Sequence, residues 1–257
     1  MNEYSRITIG YSTLANRVEN IIFPKVQIQH SILISVQNPH SVKFVIPDSS
    51  KQVTVVESGE TGVAKSRNRV IENTTTEYLI FADDDATINP EGLVQIVEYL
   101  DSHPECDLVT AMTTNEMGAL RKRYPTKSQS LTLFNSAKFG TIEMVVRVAS
   151  IKSNGLRFDE NFGAGSLNKL GDEYIFISDL LRIGRKGVFL PIELASHSNE
   201  SSGTNLAGNE SEEILAARAK VFTRVFGWRA PVVRAVFYLR RKQSGRDFSG
   251  FARFVRG

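Results

Sequence analysis

Short apolar runs separated by polar turns dominate the first 112 residues, and their lengths alternate between those of strands and of helices. Residues 6–14 read as a strand running into a loop, 17–23 as a short helical stretch, and 32–37 (ILISVQ), bounded by Asn38 and Pro39, as a buried strand. Residues 53–57 form a further strand and 59–62 a turn; the helix over 63–73 has Ala64, Val70 and Ile71 among its apolar positions. Residues 78–82 (YLIFA) are a strand that ends in three aspartates. Pro90 suits the first turn of a helix carrying Leu93, Val94, Ile96, Val97 and Leu100, and 107–112 are strand again. This alternation predicts an α/β fold, a mostly parallel sheet flanked by helices. Such sheets bind ligands outside the carboxyl ends of their strands, where the aspartates fall.

The pattern weakens further on. Residues 113–140 mix basic, polar and aromatic side chains and are expected to form a long loop or hairpin. Residues 141–151 read as strand, with Glu143 and Arg147 four apart on one side of it as an ion pair. A loop over 163–171, a helix over 173–183 and a short strand over 187–190, ending before Pro191, follow. Residues 198–211, rich in Ser, Asn and Gly, are expected to be mobile, and 211–226 and 231–242 to be helical. The expected organisation is a body over 1–200 and a helical extension over 201–257.

Composition narrows the class. The chain has 257 residues, 41% of them hydrophobic and 23% charged, which excludes a collagen, a disordered tail and a disulfide-stapled mini-protein. Cys106 is the only cysteine, so no intrachain disulfide forms, as suits a reducing compartment. No run approaches about 18 apolar residues, and Met1 to Arg6 lacks an apolar signal region. The expected location is cytoplasmic or peripheral on the inner face of the membrane. The formal charge of +3 hides an asymmetry: eleven Lys and Arg follow Glu213, against one acid, Asp247. That basic segment holds amphipathic patterns around Trp228, so 212–257 either meet an anionic membrane surface or pack on the body. No nucleic-acid reader motif is present, and nucleic acid is not an expected partner.

Three features carry candidate chemistry. Adjacent carboxylates repel, so Asp83, Asp84 and Asp85 call for a compensating cation or donors. Alternation along extended backbone lets Asp83 and Asp85 reach one ligand, and their hard oxygens suit Mg²⁺ or Mn²⁺, which can bridge a diphosphate. The stretch Gly62-Val-Ala-Lys-Ser-Arg-Asn68 puts Lys65 and Arg67 near a helix start, as phosphate or carboxylate contacts require. Asp172 and Glu173 open a later helix, whose dipole favours their charged forms. His197 is a lone histidine after a short strand, a pattern more often structural than ligating.

The ordered set GVAKSRN, FADDDA, FDENFGAG, GDEYIF and His197, spread over residues 6–200, resembles the inverting glycosyltransferases of family two. The resemblance implies a GT-A fold, a nucleotide-sugar-binding α/β domain, and a metal-dependent transfer from a nucleotide-diphosphate-sugar, a UDP-sugar foremost, to a hydroxyl of a glycan or lipid-linked glycan, as in bacterial surface polysaccharide synthesis. On it, Asp83 and Asp85 with His197 hold Mn²⁺ or Mg²⁺. Tyr11, Ser12, Thr13 and Gln37 hold the nucleoside, and Lys65, Arg67, Asn68, Asp83 and Asp84 belong to the donor site. Asp172 and Glu173 stand in place of a Glu-Asp pair, which leaves both as base candidates, with Glu173 favoured by position. The first loop, GYSTLAN, departs from the usual form, and Gln37 stands where many members carry aspartate. Asp83-x-Asp85-x-Thr87 also fits haloacid-dehalogenase-like phosphatases, with Asp83 as nucleophile, and a non-catalytic sugar-nucleotide-binding module is a further alternative.

Overall fold

The computed structural model describes residues 5–47, 53–197, 212–240 and 248–256. Its sheet is built from β1 (Ile7–Leu14), β2 (His30–Gln37), β3 (Val53–Ser58), β4 (Tyr78–Ala82), β5 (Ala86–Ile88), β6 (Cys106–Thr114), β7 (Gln129–Ser130), β8 (Met144–Arg147) and β9 (Lys186–His197). The helices are α1 (Val63–Asn73), α2 (Pro90–Ser102), α3 (Val148–Ser153), α4 (Asp172–Arg182), α5 (Glu212–Phe226), α6 (Ala230–Arg240) and α7 (Phe248–Arg256). Strand order is β3-β2-β1-β4-β8-β6-β9-β5, with β7 on β9. The first four strands are parallel, β8 is antiparallel to β4 and β6, and β6 runs parallel to β9. The α/β architecture expected from the alternating runs is the one observed.

Alternation within each strand explains the layers. Ile32, Ile34 and Val36 of β2 join a core with Leu93, Ile96, Val97 and Leu100 of α2 on one face. Leu33 points to the opposite face and joins Leu79, Phe81, Val70 of α1 and Phe176 and Leu180 of α4. A third apolar cluster ties α5, α6 and α7 to α4 and the preceding loop through Phe162, Tyr174, Ile175, Phe222, Val225 and Phe254. The extension therefore packs on the body, and this packing leaves Trp228, Val232, Val236 and Leu239 exposed. No described helix is long and apolar enough to cross a membrane.

Several expectations need correction. The stretch 17–23 is a 3₁₀ turn over Ala15–Asn20. Residues 141–151 are not one strand but a 3₁₀ turn (Thr141–Glu143), β8 and α3 in succession. Glu143 closes that turn by accepting from the Gly140 amide at 2.7 Å, a local hydrogen bond that competes with the strand its apolar neighbours favour. Glu143 and Arg147 do not pair. The buried Glu143 carboxylate takes Lys122 Nζ at 2.9 Å, whereas Arg147 donates to the Leu100 carbonyl at 2.8 Å. The strand predicted to stop before Pro191 runs on to His197, because Pro191 falls where the β6–β9 register shifts between Thr110 and Met112 and no ladder donor is needed. The segment 113–140 is mostly loop, with the short β7 inside it. The segment 198–211 lies outside the described residues, and α7 is a helix the sequence reading did not include.

Candidate active site

The carboxyl ends of β1, β2 and β4 open onto one cleft of about 670 Å³, closed on its other side by Gly140–Glu143 and the loop before α4. Ser12, Thr13, Gln37, Arg67, Asp83, Asp84, Asp85, Asp172, Glu173 and His197 all line it. Three expected contacts do not. Tyr11 is fully buried in the core, its hydroxyl donating to the Ile22 carbonyl at 3.3 Å. Lys65 pairs with Glu60 at 2.9 Å. Asn68 is a buried clamp that accepts from the Phe158 amide at 2.8 Å and donates to its carbonyl at 3.0 Å.

The aspartate trio leaves extended geometry after Asp83, and this turn sorts the three side chains. Asp84 is buried, accepts from Thr13 Oγ1 and pairs with Arg17. Asp83 and Asp85 instead converge with His197, each offering a ligand atom within 4.8 Å of the others. His197 gets there because the last residue of β9 pairs in register with Ala86 at the start of β5. Its Nε2 lies 2.9 Å from Asp85 Oδ1, and this contact first, with Arg17 adding to it, holds the Asp85 carboxyl below its usual range despite burial. Desolvation, only partly offset by Arg67, pushes the Asp83 carboxyl up. Two carboxylate oxygens and an imidazole nitrogen so placed fit a divalent metal ion that accepts hard donors.

Arg67 joins the two halves of the cleft. It is buried in α1 and donates to Asp172 Oδ2 at 2.5 Å, with Glu173 at 3.5 Å and Asp83 at 3.7 Å. Gly62 (φ 126°) caps the start of α1, five residues before this arginine. Gly163 has φ 94°, and a Cβ there would meet the Asp172 carboxyl at 2.8 Å. Burial, then the neighbouring Glu173 charge, pushes Asp172 up to about 7 despite Arg67. For Glu173 burial acts in the same upward sense, but Arg67 and hydrogen bonds that include Thr141 Oγ1 at 3.2 Å outweigh it, and its carboxyl lies below the usual range. About a quarter of the Glu173 side chain remains open to the cleft, against 3% for Asp172. Of the pair, Glu173 is the more accessible carboxylate and the one held low.

The cleft gathers six carboxylates, and five of them, Asp83, Asp84, Asp85, Asp172 and Glu173, share the guanidiniums of Arg17 and Arg67, whereas Glu143 pairs with Lys122. Arg121, Lys122 and Lys169 also line it. Sequence reasoning did not find Arg17 or Thr141. Arg17 lies in a short turn with no motif around it, and Thr141 sits in the stretch read as strand.

Residues 40–159 match the family model described as Glycosyl transferase family 2. Poly(ribitol-phosphate) beta-N-acetylglucosaminyltransferase TarS of Staphylococcus aureus strain Mu50 is 25% identical over 153 residues, covering 57% of this chain and 27% of TarS. TarS of strain MW2 is 24% identical over the same length. The chain thus spans about a quarter of the length of these curated relatives. The crystal structure of S. aureus TarS 1–349 in complex with UDP-GlcNAc superposes with a TM-score of 0.60 at 16% identity, covering 91% of this chain and 71% of that one. The complex of TarS 1–349 with UDP gives 0.57 at 15% identity, covering 97% and 68%. These superpositions show a shared GT-A fold.

Proposed function

We propose that this chain, whose residues 40–159 match glycosyltransferase family 2, is a member of it that moves a sugar with inversion from a UDP-sugar to a hydroxyl of a phosphate-bearing glycopolymer. The family match and the TarS superpositions favour a glycosyltransferase over the phosphatase and the non-catalytic module. One observation carries the mechanism: the Asp83–Asp85–His197 cluster and the accessible Glu173 face one cleft, bridged by Arg67. Asp83, Asp85 and His197 would hold Mn²⁺ ahead of Mg²⁺, given the imidazole ligand, and the ion would neutralise the departing diphosphate. Glu173 takes the proton of the acceptor hydroxyl as that oxygen attacks the anomeric carbon and the bond to the diphosphate oxygen breaks on the opposite face. Thr141 and Arg67 hold the Glu173 carboxylate in place for this. The UDP-sugar and the polyol-phosphate acceptor are read from TarS, whose name and UDP-GlcNAc complex supply both. Arg121, Lys122 and Lys169 in the cleft lining, Lys122 already paired with Glu143, would meet the phosphate of such an acceptor. Residues 1–200 would form the catalytic unit and 201–257 an extension braced against it.

Thermal unfolding tests the donor site. UDP at about 100 times its Kd with Mn²⁺ should stabilise the fold by about 2.7 kcal/mol, and EDTA should abolish the shift. Asp85→Ala should fold and show no such shift. An equal shift in Asp85→Ala and wild type, or none with any nucleotide-sugar, would sink the reading.

The extension offers a second contact. Trp228, 84% exposed in the 3₁₀ turn before α6, continues with Val232, Val236 and Leu239 of α6 as a stripe at helical spacing, flanked by the exposed Arg229 and Arg240. Charge complementarity favours an anionic bilayer as its occupant, at about 1 kcal/mol per basic residue near the surface. The protein should float with phosphatidylglycerol vesicles and not with phosphatidylcholine ones, and Trp228→Ser with Leu239→Ser should stay at the bottom of the gradient. Self-association through the stripe, seen by sedimentation without vesicle binding, would count against a membrane.

A further inference from the structure

Glu143 lines the cleft but stands apart from the five carboxylates that share Arg17 and Arg67. It is 1% exposed, and both of its carboxylate oxygens are engaged. Oε1 accepts from the Tyr124 hydroxyl and from Thr113 Oγ1 at 3.0 Å. Oε2 accepts from Lys122 Nζ at 2.9 Å and from the Gly140 amide at 2.7 Å. A carboxylate offers about four lone-pair positions, so these donors leave none for the proton of a substrate. Glu143 is therefore not a second base, and it acts through the groups that it holds.

Those donors come from three segments: the end of β6, the stretch 122–124 and the turn before β8. The last of these carries Thr141. Thr141–Glu143 is a single 3₁₀ turn, closed by the Met144 amide on the Thr141 carbonyl and by the Glu143 amide on the Gly140 carbonyl at 3.2 Å. So short a turn is weakly fixed by its own backbone, because its first bond must order several dihedrals. The Glu143 side chain adds the bond to the Gly140 amide and ties the turn to Lys122, whose Nζ also donates to the Lys138 carbonyl at 2.6 Å. At the start of the same turn Thr141 Oγ1 donates to Glu173 Oε1 at 3.2 Å. We propose that Glu143 is a positioning residue for sugar transfer: it seats the Gly140–Glu143 turn so that Thr141 orients the Glu173 carboxylate towards the acceptor hydroxyl. This inference rests on the reading of Glu173 as the base.

Reach and charge give different outcomes at this residue. Glu143→Asp keeps the charge but is one methylene shorter, so it cannot serve all three segments at once. Glu143→Gln keeps the reach: its amide oxygen can take the Gly140 and Lys122 donors, while the Tyr124 and Thr113 hydroxyls turn to accept from Nε2. UDP release by the full chain from UDP-GlcNAc, with Mn²⁺ and poly(ribitol phosphate) as acceptor, tests the proposal. Glu143→Asp should lower kcat by about 10–100-fold, the worth of one hydrogen bond to a charged group, with the KM for UDP-GlcNAc unchanged. Thr141→Val should lose as much, and the double variant no more than either alone, because both changes remove one contact. Glu143→Gln should recover most of the rate. Losses that multiply in the double variant, a loss confined to KM, or a Glu143→Gln protein as slow as Glu143→Asp would each overturn the proposal. Should Glu143→Asp fail to fold, Glu143→Gln decides by itself: a rate near wild type supports the proposal, and one as low as that of Thr141→Val overturns it. A slow Glu173→Gln beside unimpaired Glu143→Asp and Thr141→Val sinks this inference alone. A wild type that releases no UDP, or a Glu173→Gln that keeps pace with it, sinks the proposed reaction and this inference with it.

Discussion

Glu173→Gln is expected to lower kcat by about 10²–10⁴-fold, the usual worth of a general base, and to leave donor binding nearly unchanged. The substitution keeps shape and a hydrogen-bond acceptor for Thr141 Oγ1, so the loss reports proton transfer and not collapse of the cleft. Asp172→Asn separates the two carboxylates. Asp172 is buried against Arg67 and beside Glu173, so its loss should act on the position and charge of Glu173 and cost less than Glu173→Gln. A larger loss in Asp172→Asn, measured as sugar transfer with donor affinity in parallel, would reverse the assignment.

The Asp-Glu pair shows how far sequence goes at a site of this kind. Its place at the start of a helix was legible from FDENFGAG and GDEYIF, and so was its distance in the chain from the aspartates. Which carboxylate ionises was not, because it depends on a buried arginine 105 residues away and on a threonine hydroxyl from a turn. The parallel strands were legible for a simpler reason. Runs such as ILISVQ are apolar on both faces, and only a sheet covered on both sides accepts them. The stretch 141–151 misled because its apolar content fits a strand, while a single carboxylate, Glu143, accepts from its own turn and from Lys122, Tyr124 and Thr113. Tyr11 and Asn68 likewise sit beside true cleft residues in sequence but face away from it, since neighbours along a strand or helix point in different directions.

Removing Arg67 should have the largest effect on stability. Its guanidinium is buried with Asp172, Glu173 and Asp83 around it and also lies 5.6 Å from the Phe158 ring centroid. Arg67→Leu leaves three carboxylates in a desolvated cleft without their cation, and breaking a buried pair in this way costs about 3–5 kcal/mol. In a chain of this size the expected fall in Tm is about 10 °C. The pH dependence has a definite sign. In wild type Glu173 is held below its ordinary range, so its contribution to stability is present above that range and is lost as pH falls through the lowered value. Asp172, raised to about 7, acts oppositely: the folded state binds its proton more tightly, so stability falls as pH rises from the ordinary aspartate range towards 7. Arg67 opposes proton uptake by both carboxyls, so Arg67→Leu raises both and makes the variant lose stability more steeply on the alkaline side. The Tm gap between wild type and variant should therefore widen from pH 5 to pH 8. The acid limb of the transfer rate should also move to higher pH, because the base no longer has a cation to keep it ionised. A gap that stays constant across this range, with an unmoved acid limb, would mean that Arg67 contributes by packing on Phe158 and not by charge.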